Sequence, residues 1–156
     1  MKILAQNETI PINHGHLSPE NILISKDGKN IKIMDLGFLL LKKYCGYFGY
    51  CNKNQYTSVE ILAEKGKVSN SVTEKSDVYS IGMISWFVCF GEIPFEGLPL
   101  SSINKYVLKE NKRPKIPSEF NKQLKHLIRA CWHRDAKSRP TFEIIVNFIE
   151  KFETEF

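Results

Sequence analysis

Two short apolar runs lie near the start of the chain, on either side of a turn signal. They are "NILIS" (21–25) and "NIKIM" (30–34), and "KDGK" separates them. Within it, Asp27–Gly28 is typical of a hairpin turn, because glycine accepts a positive φ. The pattern predicts a small antiparallel β-hairpin. The irregular stretch that follows, 35–60, is long for a loop without structure of its own, and such loops more often carry function.

Beyond this stretch, apolar residues recur at helical spacing. Ser76 can cap a helix that runs to about Phe90, with Gly91 just past its end. This helix is apolar nearly all round, so we expect it to be buried on most sides. The pattern predicts a shorter helix at about 100–110, another after Ser118, and a last one after Thr141. The apolar face of the helix after Ser118 consists of Phe120, Leu124, Leu127, Ile128 and Cys131. That of the helix after Thr141 consists of Phe142, Ile145, Val146 and Ile149.

These elements predict a mainly α fold, a helical bundle with one small β-hairpin. The chain has 156 residues, 42% of them hydrophobic and 25% charged, which is typical of a single globular domain, here taken as 1–156. No apolar run reaches the roughly 18 residues of a membrane span. The N-terminus does not have the pattern of a signal peptide. We therefore expect a cytoplasmic protein without a membrane partner.

The net charge of +5 comes from lysines that are dispersed along the chain. Dispersed charge indicates a solvated basic surface, and without a recognition motif a nucleic-acid partner is not expected. None of the four cysteines forms a C-x-x-C pair, so zinc spacing is absent. Cys89 and Cys131 lie in apolar helical patterns and are predicted to be core thiols. Cys45 and Cys51 lie in the irregular stretch, and we expect no disulfide there in a reducing compartment.

Five motifs then follow one another in a recognisable order: "HGHLSPEN" (14–21), "DLG" (35–37), "SVE" (58–60), "SDVYSIG" (76–82) and "CWHRDAKSRPTF" (131–142). They resemble H-R-D-L-K-P-E-N, D-F-G, A-P-E and two later helical segments of the eukaryotic protein kinase superfamily. The resemblance covers about 12–152, has the character of tyrosine-kinase-like serine/threonine kinases, and implies that family's C-terminal lobe. Neither a glycine-rich phosphate loop nor a strand lysine precedes it, so the match lacks the N-terminal lobe and most of the helix before residue 13.

The resemblance implies a catalytic loop that departs from the family at four positions. His16 stands where the family has its catalytic Asp, and Ser18 where it has the loop Lys. Gly15 replaces an Arg, and Lys53 replaces a Thr that faces the loop. An imidazole can act as a base but cannot copy the position of a carboxylate, and loss of a general base costs about 100- to 10,000-fold in rate. We expect a degenerate loop, with His16 as a working base as the alternative.

Other positions match the family. Asn21 and Asp35 correspond to its magnesium ligands, although both residue types also form turns. ATP and Mg²⁺ are therefore implied by the family, but we expect no tightly bound cofactor. Glu60 and Arg139 correspond to a buried ion pair, for which a surface location is the alternative. Asp77 corresponds to the acceptor of backbone N–H bonds from the catalytic loop, for which simple helix-start charge is the alternative.

The function implied is that of a truncated, kinase-like C-lobe that serves as a binding or scaffold module in signalling. The alternative is a diverged protein serine/threonine kinase whose N-lobe is missing from this chain. We expect the missing helix to leave some apolar surface open around Met83, Trp86, Phe87 or Phe90, which predicts a protein partner or self-association. The segment "YCGYFGYCNKNQYTS" (44–58) has hydroxyl groups, but no feature singles out one for phosphorylation, and packing is favoured.

Overall fold

The computed structural model describes the backbone of residues 2–5 and 8–11, and the backbone and side chains of residues 13–36, 55–64 and 72–154. Within these ranges, two antiparallel two-stranded sheets come first and helices follow. The strands are β1 (Lys2–Ala5), β2 (Glu8–Pro11), β3 (Ile22–Ile24) and β4 (Ile31–Ile33). The α-helices are α1 (Val59–Ala63), α2 (Glu74–Phe90), α3 (Leu100–Asn104), α4 (Lys122–Cys131) and α5 (Phe142–Glu153). The mainly α fold with a small hairpin is confirmed.

The predicted hairpin is formed by β3 and β4. Ile22 lies opposite Ile33, and Ile24 lies opposite Ile31. Gly28 in the turn has φ +72°, in the left-handed region that glycine enters at little cost. The predicted helix at about 100–110 is also present, since α3 continues as one π-helical segment, Lys105–Lys109.

Helix α2 is the predicted apolar helix, but it begins three residues earlier than the pattern indicated, at Glu74 instead of after Ser76. Thr73 precedes its first residue, and Ser76 lies one turn inside. The Ser76 hydroxyl accepts a hydrogen bond from Thr73 N (3.0 Å) and donates one to Thr73 O (2.6 Å), so it reaches back to the helix start. The prediction of Ser76 as the cap was therefore wrong. The other end is as predicted, because Gly91 has φ +68° and its N–H bonds to Phe87 O at 2.8 Å.

The last two helices are capped by side chains. Asn121 Oδ1 accepts hydrogen bonds from the backbone N–H groups of Gln123 and Leu124 at 2.9 and 3.0 Å, so α4 starts at Asn121 rather than directly after Ser118. Thr141 Oγ1 accepts from Ile144 N at 3.3 Å, as expected for the cap of α5. A capping oxygen leaves one fewer unpaired N–H group in the first turn.

The main core surrounds α2. Tyr79, Met83 and Trp86 of this helix are buried, and they pack with Ile103, Val107, Ile116, Ile128 and Trp132 from the later segments. Trp86 Nε1 also donates to Lys115 O at 3.0 Å. Of the four positions at which some open surface was expected, Met83 and Trp86 are therefore not open, because the segments after residue 100 cover both. Phe87 and Phe90 are half-buried, and Phe90 contacts Phe120 with ring centroids 4.9 Å apart.

The outer side of α2 has fewer neighbours than the all-round apolar pattern indicated. Val88 is 72% exposed, and Cys89 is exposed beside it. The prediction of Cys89 as a core thiol was therefore wrong. Cys131 is buried against Val78 and Ile145, as predicted, and burial raises its pKa to about 12. Cys45, Cys51 and Lys53 lie outside the described residues.

Helix α5 is anchored through one position. Ile145 is buried against Val78 and Cys131, whereas Phe142, Val146 and Ile149 are largely exposed. The helix is therefore correctly predicted, but most of its predicted apolar face is open. In the described part of the chain, no helix is long and apolar enough to cross a membrane.

Candidate functional site

One carboxylate binds the backbone of the loop that contains the degenerate motif. Asp77, in the first turn of α2, accepts the backbone N–H of His14 through Oδ2 and that of Gly15 through Oδ1, both at 2.7 Å. This is the contact that the resemblance implied for Asp77, rather than simple helix-start charge. Burial raises the pKa of Asp77, although the two N–H bonds act in the opposite direction. Asp77 thus joins the loop directly to the first turn of α2.

His14 joins the loop to the end of the hairpin. Its ring is buried, and Nε2 lies 2.7 Å from Met34 O. Its Nδ1 accepts the backbone N–H of His16 at 3.2 Å, so the proton of the neutral ring belongs on Nε2, which donates to Met34 O. The sequence analysis did not single out His14, although it begins the motif. Its ring nitrogens contact His16, which precedes the β3–β4 hairpin in sequence, and Met34, which follows it. No local sequence pattern indicates this arrangement.

The two replaced catalytic positions differ in their surroundings. His16 is half-buried, and its backbone carbonyl accepts Asn21 Nδ2 at 2.9 Å. Ser18 is fully buried, and its carbonyl accepts the N–H of Asn21 at 3.0 Å. A short 3₁₀ turn, Pro19–Asn21, starts here and leads into β3. The loop therefore keeps a compact backbone, but at position 18 it offers a buried hydroxyl where the family has a long cationic side chain.

Gly15 occupies a backbone position that suits glycine. Its φ is +71°, which is left-handed, and an ordinary side chain there carries a strain of about 1–3 kcal/mol. The family's arginine at this place is absent, and so is its charge. The loop at this position consists only of backbone, with the Gly15 N–H directed to Asp77.

Asn21 and Asp35 are brought close to each other through the backbone. Met34 N donates to Asn21 O at 2.8 Å, so Asp35 follows immediately beside Asn21. Asp35 is exposed and has φ +59°. The donor chemistry fits magnesium, because an amide oxygen and a carboxylate are hard oxygen ligands. Within the described ranges, however, no group of three or more His, Cys, Asp or Glu residues could hold a metal ion, so these two would need further ligands from elsewhere.

Glu60 and Arg139 form the ion pair that the resemblance implied. Arg139 Nη1 donates to Glu60 Oε1 at 2.7 Å and Nη2 to Oε2 at 2.8 Å, which is a bidentate fork. The arginine side chain is completely buried and that of the glutamate is 23% exposed, so the pair is not a surface contact. Burial pushes the pKa of Glu60 up, but the hydrogen bonds and charge of Arg139 outweigh this, and the pKa lies below its usual value.

A buried aromatic ring adjoins this pair. The guanidinium carbons of Arg113 and Arg139 each lie 5.1 Å from the ring centroid of Tyr79, within the range of a cation–π contact. Burial raises the pKa of the Tyr79 hydroxyl to about 12. The contact between Tyr79 and Arg113 joins residues far apart in the sequence, so no local pattern predicted it.

The hydroxyl residues at the end of the irregular stretch are packed rather than presented. Tyr56 is buried, and its backbone carbonyl accepts Ser80 Oγ at 2.8 Å. Burial raises the pKa of the Tyr56 hydroxyl to about 12. Ser58 is also fully buried. The preference for packing over phosphorylation is supported at these two residues, whereas Tyr44, Tyr47 and Tyr50 lie outside the described part of the chain.

Residues 1–149 match the family model "Protein tyrosine and serine/threonine kinase". R826 of Acanthamoeba polyphaga mimivirus, whose name describes a serine/threonine-protein kinase/receptor, is 34% identical over 142 residues, which are 91% of this chain and 8% of that protein. The serine/threonine/tyrosine-protein kinase HT1 of Arabidopsis thaliana is 30% identical over 141 residues, 90% of this chain and 35% of HT1.

A third relative is the dual specificity protein kinase pyk3 of Dictyostelium discoideum. It is 34% identical over 148 residues, 95% of this chain and 11% of pyk3. The chain thus spans only about a tenth to a third of the length of these relatives. The family match, by contrast, covers nearly the whole chain and includes the loop, the hairpin, α1 to α4 and most of α5. The chain belongs to the protein tyrosine and serine/threonine kinase family.

Proposed function

We propose that this chain is a kinase-like binding or scaffold module in signalling that does not transfer phosphate. The observation that carries the proposal is residue 16, a histidine where the family has its catalytic aspartate. In kinases that carboxylate orients the attacking hydroxyl and takes its proton. An imidazole is larger and presents one nitrogen instead of two equivalent oxygens, so it cannot occupy the same place. His16 therefore lacks the geometry for this task.

The neighbouring replacement removes a second contribution. In the family, the loop lysine helps to neutralise the transferred phosphate. Ser18 has no charge, and its side chain is fully buried, so it cannot reach a phosphate on the loop surface. Electrostatic stabilisation of developing charge is commonly the largest single contribution of an enzyme. Loss of both groups from one loop points to loss of the reaction rather than to a slower version of it.

The contacts that are retained serve the fold. Asp77 holds the loop backbone, and Glu60 with Arg139 ties α1 to the segment before α5. None of these contacts requires a substrate. A chain that keeps its framework while its loop is degenerate is suited to display surfaces to a partner. We further propose that it acts in the cytoplasm.

The second candidate is a diverged protein serine/threonine kinase that acts together with protein outside this chain. The observation in its favour is that Asn21 and Asp35 are retained side by side, since an amide oxygen and a carboxylate suit Mg²⁺. When bound, this ion neutralises charge on the phosphates of ATP. The names of the relatives, R826, HT1 and pyk3, favour the same class. On this reading His16 would be the base.

The two candidates are separated by a phosphate-transfer assay. The purified chain is incubated with Mg²⁺, γ-labelled ATP and generic protein substrates, in parallel with His16→Ala and with a known active kinase as the positive control. We expect no transfer above background. Transfer that is present in the parent and absent in His16→Ala would make His16 a base and establish the second candidate. Transfer that is equal in both would assign activity to another residue and would also contradict the proposal.

A further inference from the structure

The excess of positive charge is concentrated in one part of the chain. Residues 105–139 include eleven Lys and Arg and three Asp and Glu, a net charge of +8 with His neutral. All other residues together contribute −3 to the total of +5. Single lysines are thus dispersed along the sequence, but the net charge is not. The basic part of the chain contains α4 and the segments on either side of it.

Helix α4 has its basic residues on one side. Successive residues of an α-helix are rotated by about 100°, so four basic side chains of α4 lie within about 100° of one another. The buried residues Ile128 and Cys131 lie on the other side, and α4 contains no acidic residue. We call the four side chains the basic face of α4; they are Lys122, Lys125, His126 and Arg129.

Three of these four side chains are accessible to a partner. Lys122, His126 and Arg129 are exposed, and within the described ranges no hydrogen bond or ion pair engages them. Lys125 is half-buried, and its Nζ donates to Pro117 O at 2.8 Å, which is an uncharged acceptor. The positive charge of the face is therefore not used to hold the helix in place.

The two acidic residues nearest to α4 in sequence leave most of the face uncompensated. Hydrogen bonds from its own N–H and from Ser118 Oγ at 2.9 Å, and then the charge of Lys125, lower the pKa of Glu119. Asp135 accepts Ser138 Oγ at 2.9 Å in the turn after the helix. Glu119 thus offsets part of the charge of Lys125, and neither carboxylate pairs with the three exposed side chains.

The charges of the basic face oppose the formation of α4. Helices α2 and α5 have acidic residues in the first turn, where the helix dipole favours them, whereas α4 has none and begins with Lys122. Lys122 with His126, and Lys125 with Arg129, are basic pairs at i and i+4, which do not stabilise a helix. Only Arg129, in the last turn, suits the dipole. Residues that act against local stability commonly serve function, so the face is a candidate binding surface.

The exposed residues of α4 favour a protein partner over a membrane or a nucleic acid. They are Lys122, Gln123, His126 and Arg129. None is an apolar side chain that could enter a bilayer, and none is a Phe, Tyr or Trp on which bases could stack. Carboxylates need neither, and the planar fork of Arg129 suits a carboxylate. The exposed basic residues follow one another at about 6 and 4.5 Å along the axis, which is the spacing of side chains on one face of a second helix.

We propose that the basic face of α4 binds an acidic helical segment of a partner protein, with carboxylates every three to four residues opposite Lys122, His126 and Arg129. This inference rests on the proposed binding role and names the chemistry of the partner. Exposed ion pairs are individually weak and are screened by salt, so the complex should be weak and salt-sensitive.

The test uses the purified full chain and two labelled helical peptides. One has glutamates at i, i+4, i+7 and i+11, and the other has glutamines at the same positions. Binding is followed by fluorescence anisotropy at ionic strengths of about 0.01 M and about 0.15 M, where charges act over about 30 Å and about 8 Å. We expect the glutamate peptide to bind about tenfold more tightly than the glutamine peptide at low salt, with a smaller difference at high salt.

Matched variants locate the contact. Lys122→Gln together with Arg129→Gln should weaken binding of the glutamate peptide about three- to tenfold at low salt, because two exposed ion pairs are lost. Lys26→Gln together with Lys29→Gln removes the same charge from exposed sites on the hairpin and should change binding less than about twofold. Circular dichroism and melting curves check that both variants are folded.

Charge reversal gives a second, independent measurement. Lys122→Glu together with Arg129→Glu should reverse the preference, so that a peptide with lysines at the four positions binds more tightly than the glutamate peptide. Loss of folding in one α4 variant would leave the other to decide, since glutamine and glutamate differ in their effect on the helix.

Four results would overturn the proposal. They are equal binding by the parent and the folded α4 variants, equal binding of the glutamate and glutamine peptides, an equal loss in the hairpin variant, and no binding of either peptide. Tighter binding of a single-stranded oligonucleotide or of anionic lipid vesicles, lost in the α4 variants, would assign the face to that class instead. None of these outcomes depends on phosphate transfer, so the docking inference and the inactive-module proposal can fail separately.

Discussion

Lys75 and Arg139 hold each other by reciprocal hydrogen bonds. Arg139 Nη1 donates to Lys75 O at 2.7 Å, and Lys75 Nζ donates to Arg139 O at 2.8 Å and to Pro140 O at 2.8 Å. The same arginine forks onto Glu60 and donates through Nε to His133 O at 2.8 Å. One buried guanidinium therefore joins α1, the start of α2 and the segment before α5.

The first prediction concerns removal of this guanidinium. Arg139→Ala would leave Glu60 and three backbone carbonyls without their donor, and breaking a buried pair from one side typically costs about 3–5 kcal/mol. We expect the free energy of unfolding, measured in urea, to fall by about this amount, or the variant to be insoluble. Arg129→Ala, at an exposed arginine of α4, is the control and should stay within about 0.5 kcal/mol of the parent. A melting temperature within a degree or two for Arg139→Ala would contradict the structure.

The second prediction is the pH dependence of the same pair. The pKa of Glu60 lies below its ordinary value of 4.5 in the folded state, so the unfolded state binds its proton more readily. The stabilisation is therefore complete above about pH 4.5 and is lost as the pH falls through the lowered folded pKa. The difference in unfolding free energy between the parent and Glu60→Gln should shrink in this acidic range.

The comparison with Glu60→Gln is needed because Asp77 changes the pH dependence of the unfolding free energy in the opposite direction. Its pKa is raised above 3.8 by burial, so its contribution is present at low pH and is lost as the pH rises through the raised value. The two effects partly cancel in the parent alone. A parent–Glu60→Gln difference that stays constant from pH 6 down to about pH 3 would show that the ion pair does not lower the pKa of Glu60.

The third prediction concerns the closest approach of α2 and α4. A Cβ added to Gly82 would lie 2.8 Å from Cys131 Cβ and 3.1 Å from Trp132 N, and neither neighbour is the end of a flexible side chain. Gly82→Ala should therefore push the helices apart, in spite of the higher helix propensity of alanine. We expect a loss of about 1–3 kcal/mol in unfolding free energy. Ser85→Ala, a half-buried position one turn later, is the control; a more stable Gly82→Ala would refute the contact.

Helices α2 to α5 and the β3–β4 hairpin could be predicted from sequence because apolar periodicity and the Asp27–Gly28 turn are local signals, whereas β1, β2 and the short helix α1 were not predicted. The starts of α2 and α4 could not, because several oxygen-bearing residues precede each helix. The pattern placed the cap of α2 at Ser76 and the start of α4 after Ser118, whereas the structure starts α2 after Thr73 and α4 after Asn121. Which residue caps a helix is decided by where the preceding chain enters, and local composition does not fix that.

The exposure of α2 illustrates a second limit. A helix that is apolar on every side carries no information about which side has neighbours, so the pattern placed Cys89 inside and allowed Met83 or Trp86 to lie near open surface. The structure has the reverse. Burial depends on where the segments after residue 100 pack, which follows from their long-range contacts.

The candidate site could likewise be predicted only where its sequence signals are local. The residues at its motif positions, from His16 to Arg139, could be named because the motifs are contiguous in sequence. The ring of His14 on Met34 O and the bonds between Lys75 and Arg139 could not, since they join residues 20 and 64 positions apart. Such contacts are set by the packed core and have no signature in spacing or composition.

The last prediction tests the attachment of the degenerate loop to the central helix. Asp77→Ala would leave the backbone N–H groups of His14 and Gly15 buried without an acceptor, which costs about 1–3 kcal/mol for each group. Asp77→Asn keeps one acceptor oxygen, so its loss should be about half as large.

Amide hydrogen exchange by NMR gives the direct measurement. In the parent, the N–H groups of His14 and Gly15 should exchange slowly, because both are hydrogen-bonded and buried. In Asp77→Ala their exchange should become faster, whereas that of Met34, which bonds to Asn21 O at 2.8 Å, should change less if the hairpin keeps its own structure. Fast exchange of His14 and Gly15 already in the parent would mean that Asp77 does not hold the loop. Equal acceleration at all three sites would indicate that the loop and the hairpin open as one unit.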